Sequence, residues 1–322
     1  MERFSDIVGL LRGDADRVRE QLYLAITSEI PQGAGMFPPA SGKVSRELID
    51  ALSYIFLSAN ATGALPDSAV LRLRAWALDL RRFGFPAASY DAFARIVREV
   101  LGAGIEARFV LEDAASEMAR AATAADLQGV PAAAAARVSS VRTDNGVDVV
   151  RLEAGMPVSY APGQYLPVMQ VGRQGAWRSL APALPSNPFG QLEFHVDGEI
   201  TPEVGSYITL GAARGASPRF DAGQLTVVAA GTGAAAAKAI VFHALEMPAP
   251  PRTRLALVGD VADRDAFTRL AAVSEWFSVE ADPDLAGEVV FCGPHEQVAA
   301  LDVPADAIRI CPDAPADWTY RA

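Results

Sequence analysis

The sequence predicts a multidomain α and β chain: an all-α domain, then an antiparallel β-barrel, then a small doubly wound α/β domain. Three observations carry the prediction. Apolar residues recur with a period near 3.6 up to about residue 127, and no strand-like alternation interrupts them. Short period-2 segments with turn signals follow, and the last third alternates continuous apolar strands with helical stretches. Gly129-Val130-Pro131, leading into Ala132 to Ala136, marks the first change of period. The expected domains are residues 1–127, 128–222 and 223–322.

In the first domain the spacing predicts helices over Asp14–Ile26, Val44–Ser58, Ser68–Leu80, Ser89–Leu101 and Glu112–Ala125. Breakers separate them at Pro31-Gln32-Gly33, Pro38-Pro39, Gly63 to Pro66, Gly84 to Pro86 and Gly102 to Gly104. In the second, Arg137–Arg142 and Val147–Leu152 alternate about Asp144-Asn145-Gly146, which reads as a hairpin. Further strands are expected over Tyr160–Val168, Gln191–Val196, Tyr207–Leu210 and around Phe220. In the third, Gln224–Ala230 and Leu255–Asp260 are unbroken apolar strands of the kind covered on both faces, each followed by a helix. Phe277–Glu280, Glu288–Cys292 and Ile308–Ile310 complete the alternation.

Composition narrows the function. Half of the 322 residues are apolar, and a net charge of −11 argues against nucleic acid and anionic membranes as partners. No run reaches the roughly 18 apolar residues of a membrane span, and the N-terminus lacks a basic-then-apolar leader pattern. Cys292 and Cys311 have no metal-type spacing and read as reduced thiols, so the expectation is a cytoplasmic protein without membrane insertion. His195, His243 and His295 likewise share no metal-like spacing, and no metal ligands and no catalytic residues are assigned.

The stretch Trp76 to Tyr90 is the most distinctive. Asp79-Leu80-Arg81-Arg82-Phe83-Gly84-Phe85, then Ser89-Tyr90 opening an amphipathic helix, resembles the proximal haem segment of bacterial flavohaemoglobins. In that family the residue between the Asp and the Arg is the histidine that binds haem iron; here it is Leu80. Tyr23 and Met36-Phe37-Pro38 keep the family's spacing from distal tyrosine to haem-packing phenylalanine, and the distal glutamine falls at Val44. The first histidine of the chain is His195 and the first cysteine Cys292, so Met36, Met118 and Tyr23 are the remaining donors, each unusual as a sole iron ligand. Haem is therefore not expected. Tyr23, Phe37, Val44 and Leu80 line the old pocket, which is either filled with hydrocarbon or open to a small apolar ligand.

The resemblance extends through a flavin-binding barrel and a nicotinamide domain. Pro162-Gly163-Gln164-Tyr165 and the Leu-Glu-Phe-His-Val strand match well. The family's flavin motif Trp-Arg-Tyr-Tyr-Ser-Pro reads Trp177-Arg178-Ser179-Leu180-Ala181-Pro182 here. Arg178 keeps the phosphate-pairing arginine, but the ring over the isoalloxazine is Leu180 and the hydroxyl for its reactive nitrogen is Ala181. Val196-Asp197-Gly198 also passes almost directly to Glu203-Val204-Gly205, without room for the helix whose N-terminus holds the pyrophosphate. FAD is accordingly not expected. Gly231-Thr232-Gly233 and Cys292-Gly293-Pro294 stand where the family has its two cofactor loops. Those six residues leave NAD(P) binding open, although Ala234 to Ala237 replace the usual proline and Asp260 puts a carboxylate near the phosphate position.

Family members oxidise nitric oxide, passing electrons from NAD(P)H through FAD to haem. With the haem and flavin stations altered, the expectation is a pseudoenzyme that serves as a protein-interaction, scaffolding or regulatory module for another cytosolic protein. Two alternatives stay open: an NAD(P)H-dependent flavin oxidoreductase, and a sensor that takes an apolar ligand in the emptied globin pocket.

Overall fold

A computed structural model describes residues 4–37, 41–60, 62–173, 176–198 and 200–314. One compact unit runs to Ala133 and a second begins at Ala134. Pro38 and Pro39 lie outside the described residues.

The first unit is all helix: α1 (Ser5–Gly13), α2 (Ala15–Glu29), α3 (Arg46–Ser58), α4 (Asp67–Leu80), α5 (Tyr90–Val100) and α6 (Ile105–Leu127), with short 3₁₀ turns at Pro31–Met36, Arg81–Phe83 and Ala87–Ser89. Local chemistry sets the ends. The Ser45 hydroxyl accepts from Leu48 N at 3.3 Å and caps α3. α5 and α6 both close through a left-handed glycine. Gly102 and Gly129 have φ of 59° and 67°, and Ala103 N donates to Arg98 O and Val130 N to Ala125 O across the helix end. The apolar stripes meet in one core around Leu11, Leu22, Ile26, Leu52, Leu73 and Ile96, all fully buried. Two expectations need correction. Ser5–Gly13 is helical, and α6 starts at Ile105 instead of Glu112.

The second unit opens with six strands: β1 (Ala134–Asp144), β2 (Val147–Ala154), β3 (Leu166–Gln170), β4 (Trp177–Leu180), β5 (Gln191–Val196) and β6 (Tyr207–Leu210). They form an antiparallel sheet in the order β4-β3-β6-β1-β2-β5, and a bridge between Pro182 and Phe194 brings the two edges together. Asn145 and Gly146 both have positive φ, 50° and 77°, as the tight β1–β2 turn requires. The segment around Phe220 is irregular, contrary to expectation; Phe220 packs edge-on against His243 instead, with ring centroids 4.7 Å apart.

The same unit continues with a five-stranded parallel sheet: β7 (Gln224–Ala230), β8 (Arg252–Val258), β9 (Phe277–Val279), β10 (Glu288–Cys292) and β11 (Ile308–Ile310), in the order β11-β10-β7-β8-β9. Helices α7 (Ala234–Leu245), α8 (Arg264–Val273) and α9 (His295–Ala299) connect the strands. The order reverses between β7 and β10, which makes the loops after these two strands the topological switch point. Ala234 to Ala237 are all buried, and their small side chains let α7 lie close to both the parallel sheet and β5. No helix among the described residues is long and apolar enough to cross a membrane.

Candidate functional site

The four pocket positions of the helical unit belong to its single core. Phe37, Val44 and Leu80 are buried, and half-buried Tyr23 meets Phe37 with centroids 5.6 Å apart. Val44 is pinned through its backbone: its N–H donates to Arg19 O at 3.1 Å, and Arg19 Nε donates to its carbonyl at 2.7 Å. Leu80 is the last residue of α4.

The polar residues of the distinctive motif hold the helix corner. Arg82 pairs with Asp79, both side chains buried. Arg81 Nη2 donates to Asp126 Oδ1 and to Val130 O, each at 2.6 Å, which fastens the end of α4 to the end of α6. Tyr90 sets its ring edge-on to Phe85, and its buried hydroxyl has no hydrogen-bond partner among the described residues; burial pushes that phenol well above its ordinary range. A haem needs an axial donor and a polar distal group, and these positions offer leucine and valine. The residues do not fit the group.

At the flavin positions the outcome is similar. Arg178 is exposed on β4, where Nη1 donates to the Trp177 carbonyl at 3.2 Å. Leu180 packs against the barrel core, while Ala181 is buried in the core of the α/β domain among residues such as Leu225 and Val227. Ala183 N donates to Glu193 O at 2.7 Å, so this strand continues alongside β5. No helix forms among the described residues between 197 and 206. At these positions the described residues supply neither the stacking ring, the hydroxyl nor the helix N-terminus that a flavin of this family would use, so they do not fit the group.

The glycine turns lie at the switch point and touch each other. A Cβ on Gly233 would run into the Cys292 carbonyl, and one on Gly293 would lie 2.7 Å from Ala230 O. Gln297 covers Gly231, where an added Cβ would meet its Oε1 at 2.8 Å. Thr232 is half-buried in the turn and Pro294 precedes the short α9. Close packing of two turns therefore accounts for the glycines without a ligand. Cys292 pairs in register with Ile310 and enters the core of the sheet, whereas Cys311 packs on the opposite face. Burial raises both thiols, Cys311 to about 11, so neither is an activated nucleophile.

The structure also assembles a charge cluster that linear spacing hid. Leu192, Phe194 and Val196 of β5 fill the barrel, so Glu193 and His195 alternate onto the outer face, which α7 covers. Lys238 Nζ of α7 donates to Glu193 Oε1 and to Asp263 Oδ2, each at 2.6 Å. Arg151 Nε holds Glu193 Oε2 at 2.8 Å, Arg142 holds Asp263 Oδ1, and Asp263 N donates to Asp144 Oδ2 at 2.9 Å. Burial would raise both carboxyls, but neighbouring His195 and Lys238 outweigh it. Arg151 adds to this at Glu193, which falls to about 2, and Asp263 is also held well below the usual range. His195 Nε2 lies within ion-pairing reach of both acids, 3.3 Å from Asp263 Oδ2 and 3.8 Å from Glu193 Oε1, although among the described residues neither ring nitrogen has a well-aligned hydrogen bond. The Glu-x-His alternation on one strand face was the signal in the sequence; Lys238 and Asp263, far along the chain, were not foreseeable from it.

No protein-family model matches the chain, and comparison with curated proteins gives no significant match. Solved structures do resemble it. The flavohaemoglobin of Malassezia yamatoensis, solved with bound FAD and haem, aligns over 95% of this chain and 96% of its own at 14% identity, with a TM-score of 0.67. The Amycolatopsis cytochrome P450 reductase aligns over 56% of this chain and 69% of its own (20% identity, TM-score 0.46). The FAD/NAD-binding domain of the Vibrio cholerae nitric oxide dioxygenase aligns over 55% of this chain and 97% of its own (17% identity, TM-score 0.42). From its helical unit through its barrel to its α/β domain, the chain has the flavohaemoglobin fold.

Proposed function

We propose that this chain keeps the flavohaemoglobin architecture as a pseudoenzyme that takes neither haem nor FAD and serves as a protein-interaction, scaffolding or regulatory module in the cytoplasm. One observation carries the reading: Leu80, at the place of the iron ligand, is buried in an apolar core in a chain whose first histidine is His195. The flavin positions support it independently, since Ala181 fills core space where a hydroxyl would face the ring. With both stations closed, electrons from a nicotinamide have no acceptor to reach, and the retained surfaces are what selection can still use. The partner is then another protein, met through the outside of the fold.

A second reading rests on Tyr90. Its buried hydroxyl, unpaired within the same core as Leu80, suits a ligand with an apolar body and one hydrogen-bond acceptor, as a sensor would take.

Absorption spectra of the purified chain, before and after addition of haemin and FAD, test the proposal. A featureless visible spectrum and no NADH oxidation are expected throughout. A Soret band, a bound flavin spectrum or steady NADH consumption overturns it in favour of an NAD(P)H-dependent oxidoreductase. Mass spectrometry of a solvent extract tests the sensor reading, which a stoichiometric lipid-like molecule would support.

A further inference from the structure

We propose that Glu193, His195 and Asp263 form a binding site for a divalent first-row transition metal, with the Lys238 ammonium as the cation that the metal displaces. One ligand atom from each residue lies within 4.8 Å of the others, and all three residues are buried. Two ligands of one metal, each bonded at about 2.0–2.2 Å, stand roughly 3–3.5 Å apart. The His195–Asp263 separation of 3.3 Å falls in that range, and the His195–Glu193 separation of 3.8 Å needs a small contraction.

His195 is the independent sign of a missing partner. It is 2% exposed, its Nε2 stands 3.3 Å from Asp263 Oδ2 and 3.8 Å from Glu193 Oε1, and among the described residues neither ring nitrogen has a well-aligned hydrogen bond, with Nδ1 facing no acceptor or donor at all. Leaving a buried polar group unpaired is destabilising, and a metal at Nε2 would give the lone pair its acceptor. The carboxylates are prepared in the same sense. Arg151 and Arg142 occupy Glu193 Oε2 and Asp263 Oδ1, so each acid turns its other oxygen inward, held from behind as metal-binding carboxylates are.

A cation already sits in the seat. Lys238 Nζ is 2.6 Å from both inward oxygens, and it has somewhere to go: the Phe242 ring, one turn along α7, has its centroid 5.6 Å from Nζ. One imidazole and two carboxylates suit Zn²⁺, Mn²⁺, Fe²⁺ or Co²⁺ better than a soft monovalent ion. Lysine and metal compete for the same two oxygens, so occupancy follows metal concentration.

Co²⁺ titration of the tag-free full chain, read by its visible ligand-field absorption and by calorimetry, tests this. One equivalent should bind, at least tenfold more tightly in Lys238→Met and at least tenfold more weakly in His195→Ala. Circular dichroism checks the fold of each variant. If Lys238→Met does not fold, the unaltered chain still decides: Co²⁺ should raise its melting temperature and leave that of His195→Ala unmoved. No Co²⁺ binding by the unaltered chain, or equal binding by His195→Ala, overturns the proposal.

Discussion

Arg81 closes the corner between α4 and α6 by donating from one nitrogen to both Asp126 Oδ1 and Val130 O at 2.6 Å. The guanidinium is buried while Asp126 is half exposed, so the carbonyl contact and the packed stem matter more than the ion pair. Arg81→Ala should lower stability by about 1–2 kcal/mol, measured by urea unfolding. An unchanged midpoint would mean that the motif does not hold this corner.

Tyr90 offers the opposite kind of test. Its hydroxyl is buried without a partner, so Tyr90→Phe removes a polar group that gains nothing from folding. Stability should stay level or rise by up to about 1 kcal/mol. A loss instead would mean that a bound molecule uses the hydroxyl, and would favour the sensor reading.

Gly233 distinguishes packing from cofactor binding at the switch point. Gly233→Ala drives a methyl into the Cys292 carbonyl, so the melting temperature should fall by several degrees with no nucleotide present. An alanine variant as stable as its parent would leave ligand approach as the reason for the glycine.

Acid stability should report on the buried charges. Glu193 falls from 4.5 to about 2 in the folded chain, so the unfolded state binds the proton more readily. Its contribution is therefore complete above about pH 5 and is lost as pH falls toward 2. Glu193→Gln leaves Lys238 paired with Asp263 but removes one of its two buried counter-charges, and should cost about 1–3 kcal/mol at pH 7, with a much smaller difference from the parent near pH 2. Urea midpoints across that range check it; a pH-independent gap would contradict the assignment.

Much of this fold was legible because periodicity reports burial directly. The 3.6 spacing of α2 to α5, the Asn145-Gly146 turn and the unbroken β7 each name their own structure. α1 was missed because Gly9 and Gly13 weaken the helical signal of Ile7, Val8, Leu10 and Leu11, which packing against α3 supplies instead. β4 was hidden within a stretch read for its chemistry, and the Phe220 segment lacks any strand to pair with. At the charge cluster, alternation along β5 fixes that Glu193 and His195 share a face. What covers that face depends on α7 and on Asp263, 68 residues beyond His195, and only folding supplies it.

Ala181 sits in a barrel segment yet is buried within the α/β core. The two halves of the second unit thus share hydrophobic interior instead of facing each other across a seam. Cutting the gene near residue 222 should therefore expose apolar surface on both fragments, whereas a fragment beginning at Ala134 keeps that shared interior together.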